Sequence, residues 1–287
     1  MQDETGNSPH HGRHDSRVVL ITGASSGIGR ATAQRLRGTR LFLVGRDPER
    51  LDAVVWATGG TAIRADLADA AAVTRVAETI HYSAGRLDLL INCAGQLEVG
   101  PADQPDAMAV VERLMQVNFL GAIRLIDACL PLLRAARRPA IINVGSSAGL
   151  IAPPYMAAYA ASKFALVGYT RALRQELRPQ GIHVGLVLPA PVATPMIAGK
   201  IHGPYYPVPP GTPVLTADAI ARAIVRAAER RQREVVLPRR LAPLLRLGSA
   251  APYLVDLVWR AMRAVPARPA QSDAHSACSD PRNDPPV

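Results

Sequence analysis

The chain has 287 residues, of which 48% are hydrophobic, enough to build one large α/β domain with tails. Its net charge of +10 at pH 7 suggests nucleic acid as a partner, but the arginines are scattered and aromatics make up only 4%. That suits neither a basic stripe nor a base-stacking platform. Cys93, Cys129 and Cys278 lack the pair spacing of a zinc site, a redox motif or a disulfide framework. The first residues, "MQDETGNSPHHGRHDS", hold no apolar signal-peptide core, and no run of about 18 apolar residues follows, so a soluble cytoplasmic protein is expected.

Residues 1–16 are polar and aperiodic and are expected to be disordered, with His10, His11 and His14 solvated. From Arg17 an alternation begins. Short apolar runs, "RVVLI", "RLFLVG", "GTAIRA", "LDLLIN", "AIINVG" and "IHVGLVL", are each followed by a helical or loop stretch. Unbroken apolar runs separated by helices indicate strands covered on both faces, hence an α/β fold with a doubly wound parallel sheet. For a Rossmann sheet of this kind, ligands bind at the carboxyl ends of the strands. The domain is expected to span 17–238. A basic amphipathic segment, 239–265, follows, with Leu254, Leu257, Val258, Ala261, Met262 and Val265 at helical spacing, and then a proline-rich tail, 266–287.

Between the first strand and first helix lies "TGASSGIG": Thr22, Gly23, Ala24, Ser25, Ser26, Gly27, Ile28 and Gly29. Glycines there let the backbone turn tightly and approach a pyrophosphate, whose charge is met by amides at the helix N-terminus. The second strand ends "LVGRDPERL". An acidic side chain at that point would bind the ribose of NAD, whereas a cation accommodates the 2′-phosphate of NADP. Asp47 precedes Pro48 and Glu49 and reads as a helix N-cap, which leaves Arg46 as the phosphate ligand, with Arg30 as a second cation. NADP(H) is the expected cofactor and NAD(H) the alternative.

Only Lys163 and Lys200 break the use of arginine for positive charge. Lys163 stands four residues after Tyr159 in "YAASK", so on a helix both share one face. Ser146 lies upstream in "INVGSSAG" at the end of an expected strand. For a tyrosine to act as a base near pH 7 its pKa must fall by about 3 units, or roughly 4 kcal/mol. A cation about 4 Å away at an effective dielectric near 20 supplies on the order of that energy.

With these motifs together, the stretch from Arg17 to about Pro238 resembles the short-chain dehydrogenase/reductases. The glycine loop is followed in order by Asp66–Leu67, by "NCAG" at Asn92–Gly95, and by Val117–Asn118. Ser146, "YAASK" and "PAPVATPM" at Pro189–Met196 complete the series. The resemblance implies an NADP(H)-dependent oxidoreductase that interconverts a carbonyl and a secondary alcohol. It makes Tyr159 the general acid–base, Ser146 the group holding the substrate oxygen, and Lys163 the residue that lowers the tyrosine pKa and binds the nicotinamide ribose. Asn118 would hold a water in a proton relay. Asp66 would contact the adenine, Asn92, Ala94 and Gly95 would line the dinucleotide, and Pro189, Val192 and Thr194 would hold the nicotinamide end. A homodimer or homotetramer is likewise implied.

Three positions depart from the family pattern: Cys93 replaces an asparagine, Gly145 a serine, and Ala190 the glycine after Pro189, which puts that loop's backbone shape in question. The long proline-rich stretch from Met196 to Pro213 is expected to cover the substrate. Met196, Ile197, Tyr205 and Tyr206, with Ile151, Tyr155 and Met156, suggest an apolar pocket and hence a hydrophobic small-molecule substrate. His183 reads as a strand residue without a catalytic role. For 239–265 three placements stand open: against the protein's own cleft, against a second subunit, or on a membrane surface. A dinucleotide-binding protein without turnover is the rival function, but it would be expected to lose one of Ser146, Tyr159 or Lys163.

Overall fold

The computed structural model describes residues 16–201, 203, 205–207 and 212–262. Residues 1–15 and 263–287, which include His10, His11, His14 and Cys278 of the expected disordered tails and Val265 of the amphipathic segment, lie outside the described residues.

Strands β1 (Val18–Thr22), β2 (Arg40–Gly45), β3 (Thr61–Arg64), β4 (Leu89–Asn92), β5 (Ala140–Val144), β6 (His183–Pro189) and β9 (Glu234–Leu237) form one parallel sheet in the order β3-β2-β1-β4-β5-β6-β9. A two-residue pair, β7 (Val192–Ala193) with β8 (Leu215–Thr216), lies apart. The chain order reverses between β1 and β4, and that reversal opens a crevice at the strands' carboxyl ends.

Helices α1 (Gly27–Arg35), α2 (Pro48–Thr58) and α7 (Ala217–Glu229) cover one face. The opposite face carries α3 (Ala70–Ala84), α5 (Gly121–Arg134) and α6 (Ala157–Leu177). Successive residues of a strand point to opposite faces, and both faces here are dry. On β1, Val18 and Leu20 pack with Val73, Val76, Leu125 and Cys129, while Val19 and Ile21 pack with Leu51, Val54, Ile220 and Ile224. This double burial is why the strand runs are apolar at every position. Each fully buried aliphatic side chain contributes about 1.5–3 kcal/mol.

The helix starts follow local chemistry. Asp47 caps α2, its carboxylate accepting from the Arg50 N–H at 3.1 Å, with Pro48 in the first turn. Asp69 and Thr216 cap α3 and α7 in the same manner. Helix α4 (Ala107–Met115) runs through a π-helical turn, Gln116–Leu120, into α5. The resulting helix, Ala107–Arg134, is long and apolar enough to cross a membrane by length and composition. Here, however, Leu125, Ile126, Cys129, Leu132 and Leu133 are buried in the core beneath the sheet. After β9 come α8 (Ala242–Ala250) and α9 (Pro252–Ala261).

Candidate active site

The glycine loop is held from below by Thr22. Its buried hydroxyl accepts from the Cys93 and Ala94 N–H groups at 3.0 and 3.1 Å, tying the β4 turn to the end of β1. At Gly29 an added Cβ would lie 2.1 Å from the Gly23 carbonyl oxygen, so only glycine lets α1 pack this close to the loop. Ser26, the N-cap of α1, is extended and makes no side-chain cap hydrogen bond. The first amides of the helix are therefore available to an anion.

At the end of β2, Gly45 lies against Ser25, whose Cβ and Oγ would each be 3.2 Å from a Cβ at that position. The Asp47 carboxylate serves as helix cap and pairs with Arg50 at 3.1 Å. Arg46 projects into solvent at the crevice. One guanidinium nitrogen is 3.8 Å from Asp66, and the Gln96 amide oxygen, turned toward it, accepts at 2.8 and 3.0 Å. Asp66 also accepts from Ala68 N–H at 3.0 Å, which shapes the turn after β3.

At the end of β5, Ser146 caps a single 3-10 turn, with Oγ accepting from the Ala148 N–H at 3.1 Å, and it lines the same cavity as Tyr159. Tyr159 and Lys163 share one face of α6 and both are buried. The Lys163 ammonium sits 5.9 Å from the centroid of the Tyr159 ring and donates to the Val144 carbonyl at 3.2 Å. Burial raises the Tyr159 pKa above its ordinary value, and the Ser146 hydrogen bond works against that rise. Burial likewise lowers Lys163 to about 8. Desolvation of Tyr159 dominates, so its hydroxyl stays protonated at neutral pH.

Asn118 lies in the π-helical turn and is almost wholly buried. Its side-chain oxygen accepts from Gln96 N–H at 2.7 Å, and its amide donates to Gln96 O at 2.9 Å and to Ser162 Oγ at 3.0 Å. Ser162 in turn donates to the Tyr159 carbonyl at 2.7 Å. The Asn118 side chain therefore braces the Gly95–Gln96 turn against α6. Gly95 sits at the closest approach, where a Cβ would be 3.2 Å from Asn118 Oδ1 and 3.5 Å from Lys163 Nζ.

A cavity of about 470 Å³ joins these parts. It is lined by Gly23, Ser26, Gly27, Ile28 and Gly29 of the loop, by Gly95, by Ser146, Tyr159 and Lys163, and by Pro189, Val192 and Thr194. Thr22, Ser25, Arg46, Asp66, Asn92, Ala94 and Asn118 are not part of this lining. Leu67 is a core residue packed against Gly121 at the start of α5. Asn92 donates to Asn143 at 2.9 Å, and Asn143 donates to Thr170 at 2.9 Å, which makes a buried polar chain linking β4, β5 and α6.

Ala190 has no left-handed backbone, and its N–H donates to the Leu237 carbonyl at 2.7 Å. The missing glycine therefore brings no strain. Of the expected pocket residues, Ile151, Met156, Met196, Ile197 and Tyr206 line the cavity, whereas Tyr155 and Tyr205 pack on each other with ring centroids 5.0 Å apart and do not. His183 lies in β6, away from the site.

The rest of the wall comes from the segment after Pro238. Leu241, Leu245, Leu254, Val258 and Trp259 close the far end, so α8 and α9 cover the protein's own cleft. The helical spacing of Leu254 and Val258 was the available signal for this wall. Gln96, Asn143, Ser162 and Thr170 carried none.

The family profile described as short chain dehydrogenase matches residues 17–203. A 3-ketodihydrosphingosine reductase of Bacteroides thetaiotaomicron is 38% identical over 175 residues, covering 60% of this chain and 63% of that protein, under two thirds of its length. Dehydrogenase/reductase SDR family member 7B of Danio rerio is 34% identical over 264 residues, 86% of this chain and 82% of that protein. Two solved structures align closely. A Burkholderia phymatum short chain dehydrogenase/reductase in complex with NAD has a TM-score of 0.73 at 26% identity, covering 85% of this chain and 96% of that one. A Burkholderia cenocepacia J2315 short chain dehydrogenase in complex with NADP has a TM-score of 0.70 at 28% identity, covering 79% and 98%.

Proposed function

The chain belongs to the short-chain dehydrogenase/reductase family and is an NAD(P)-dependent oxidoreductase of alcohol and carbonyl groups; from that premise we propose that it reduces an apolar, long-chain ketone with NADPH. The observation that carries this reading is the convergence of Ser146, Tyr159 and buried Lys163 on the inner end of one cavity whose outer wall is aliphatic. The 3-ketodihydrosphingosine named for one relative is a ketone on a long aliphatic chain, a shape suited to such a wall.

The chain's own groups fit a nicotinamide dinucleotide. The α1 N-terminus and glycine loop would hold the pyrophosphate, Arg46 the 2′-phosphate, and Lys163, Val192 and Thr194 the nicotinamide end. When bound, that group supplies the hydride. Ser146 donates to the carbonyl oxygen and fixes its position. Tyr159, kept protonated by burial, delivers its proton to the same oxygen as negative charge develops there. The Lys163 ammonium then stabilises the tyrosinate.

A panel of aliphatic ketones, steroids and sugars tested with NADPH and NADH examines this reading. Turnover is expected with long-chain ketones and NADPH, and Arg46→Ala should weaken NADPH about tenfold while leaving NADH unchanged. Equal wild-type affinities for the two cofactors would refute the phosphate assignment, and turnover confined to sugars would refute the substrate class.

A further inference from the structure

Helices α8 and α9 meet at a bend of 110°. From beneath they are fastened by two buried side chains. Leu245 packs with Leu150, Val167, Leu186, Leu188 and Val236, and Trp259 faces the cleft at 8% exposure. Their outer side is different. Leu244, Leu247, Tyr253, Leu257 and Val258 are each at least half exposed. One exposed apolar side chain is ordinary, but five on two adjoining helices form a patch of the kind that marks an interaction surface.

The patch has an electrostatic setting. Arg239, Arg240, Arg246 and Arg260 are exposed around it, and Asp256 is the one acidic residue between 239 and 262. The patch is also continuous with the active site, because Leu244, Leu247 and Val258 are exposed and line the cavity as well. At nine and ten residues the helices are well short of the roughly 20 needed to span a bilayer, so they suit an interfacial position instead. A second copy of the chain is the poorer occupant, since a two-fold interface would set this arginine-rimmed face against itself in a protein of net charge +10.

We propose that the α8–α9 pair docks on an anionic phospholipid surface and that the apolar substrate passes from the bilayer into the cleft between Leu244, Leu247 and Val258. The exposed aliphatic and aromatic side chains enter the headgroup–acyl boundary, and the arginines meet lipid phosphates. The docking stands on the patch alone, whereas the substrate route rests on the reading of the enzyme as a reductase of long-chain ketones.

The test is flotation of the full chain with phosphatidylcholine vesicles, with and without phosphatidylglycerol. The chain should float with the anionic vesicles and bind them less at high salt. The double substitution Tyr253→Asp/Leu257→Asp changes two exposed residues outside the cavity lining. It should lower vesicle binding about tenfold, keep the melting temperature and the turnover of a soluble short-chain ketone, and lose turnover of a ketone embedded in vesicles. Absence of binding to anionic vesicles, or binding that survives the double substitution, overturns the proposal. So does conversion of a dimer to monomers by that substitution at unchanged vesicle binding. If the chain binds vesicles but reduces no ketone in either form, the docking stands and the substrate reading falls.

Discussion

Lys163→Met should make the protein more stable while disabling it. The wild-type ammonium is buried, and burial brings its pKa from 10.5 to about 8. That difference of about 2.5 units, at 1.36 kcal/mol per unit, costs the folded state about 3 kcal/mol at neutral pH. Methionine keeps the length of the chain and removes the charge, but withdraws a donor from the Val144 carbonyl, a loss of about 1 kcal/mol. The net gain is about 2 kcal/mol, or about 5 °C in melting temperature for a protein of this size.

The gain has a pH signature. Because the folded pKa is depressed, the wild-type penalty is complete below about pH 8 and fades as pH rises through the window toward 10.5, where the unfolded lysine also loses its proton. Thermal unfolding of both proteins near pH 7 and pH 10 should show a gap that narrows at the higher value, with turnover of the variant lost throughout. A variant less stable than wild type near pH 7, or a gap indifferent to pH, would refute the claim that this lysine is held against its own solvation.

Lys163→Arg keeps the charge, yet puts a larger and permanently protonated head in its place, so kcat should fall about 100-fold; near-normal turnover would show that a bulky cation suffices. His183 is lowered to about 4, chiefly by burial and secondly by the Arg231 charge. Its contribution to stability is complete above about pH 6.5 and is lost as pH falls toward 4, so denaturant titrations should show His183→Gln with a flatter acid limb than wild type.

The sheet was legible because its strands are covered on both faces, which writes an unbroken apolar run at each of β1, β2, β4, β5 and β6. Asp47 was legible as a cap because the Asp-Pro-Glu order acts within one turn. Ser146, Tyr159 and Lys163 could be picked out as chemistry-bearing types at strand and helix positions that converge. Their mutual electrostatics were not legible. The depth of burial, which raises the Tyr159 pKa and lowers that of Lys163, depends on how α6 seats against β5. Asn118 was found, but its commitment to Gln96 and Ser162 depends on a π turn that leaves no mark in hydropathy. The amphipathic pattern after Pro238 was visible, whereas its place as the cavity's outer wall arises from contacts between Leu245 and residues of β6, α6 and β9 far away in the chain.

In the proposed reduction Tyr159 gives its proton to the substrate carbonyl as hydride leaves the dinucleotide. Single-turnover oxidation of bound NADPH with a saturating aliphatic ketone measures that step directly. In Tyr159→Phe the rate should fall by about 1000-fold or more while the NADPH dissociation constant stays close to that of wild type. A variant that oxidises NADPH at the wild-type rate would contradict the claim.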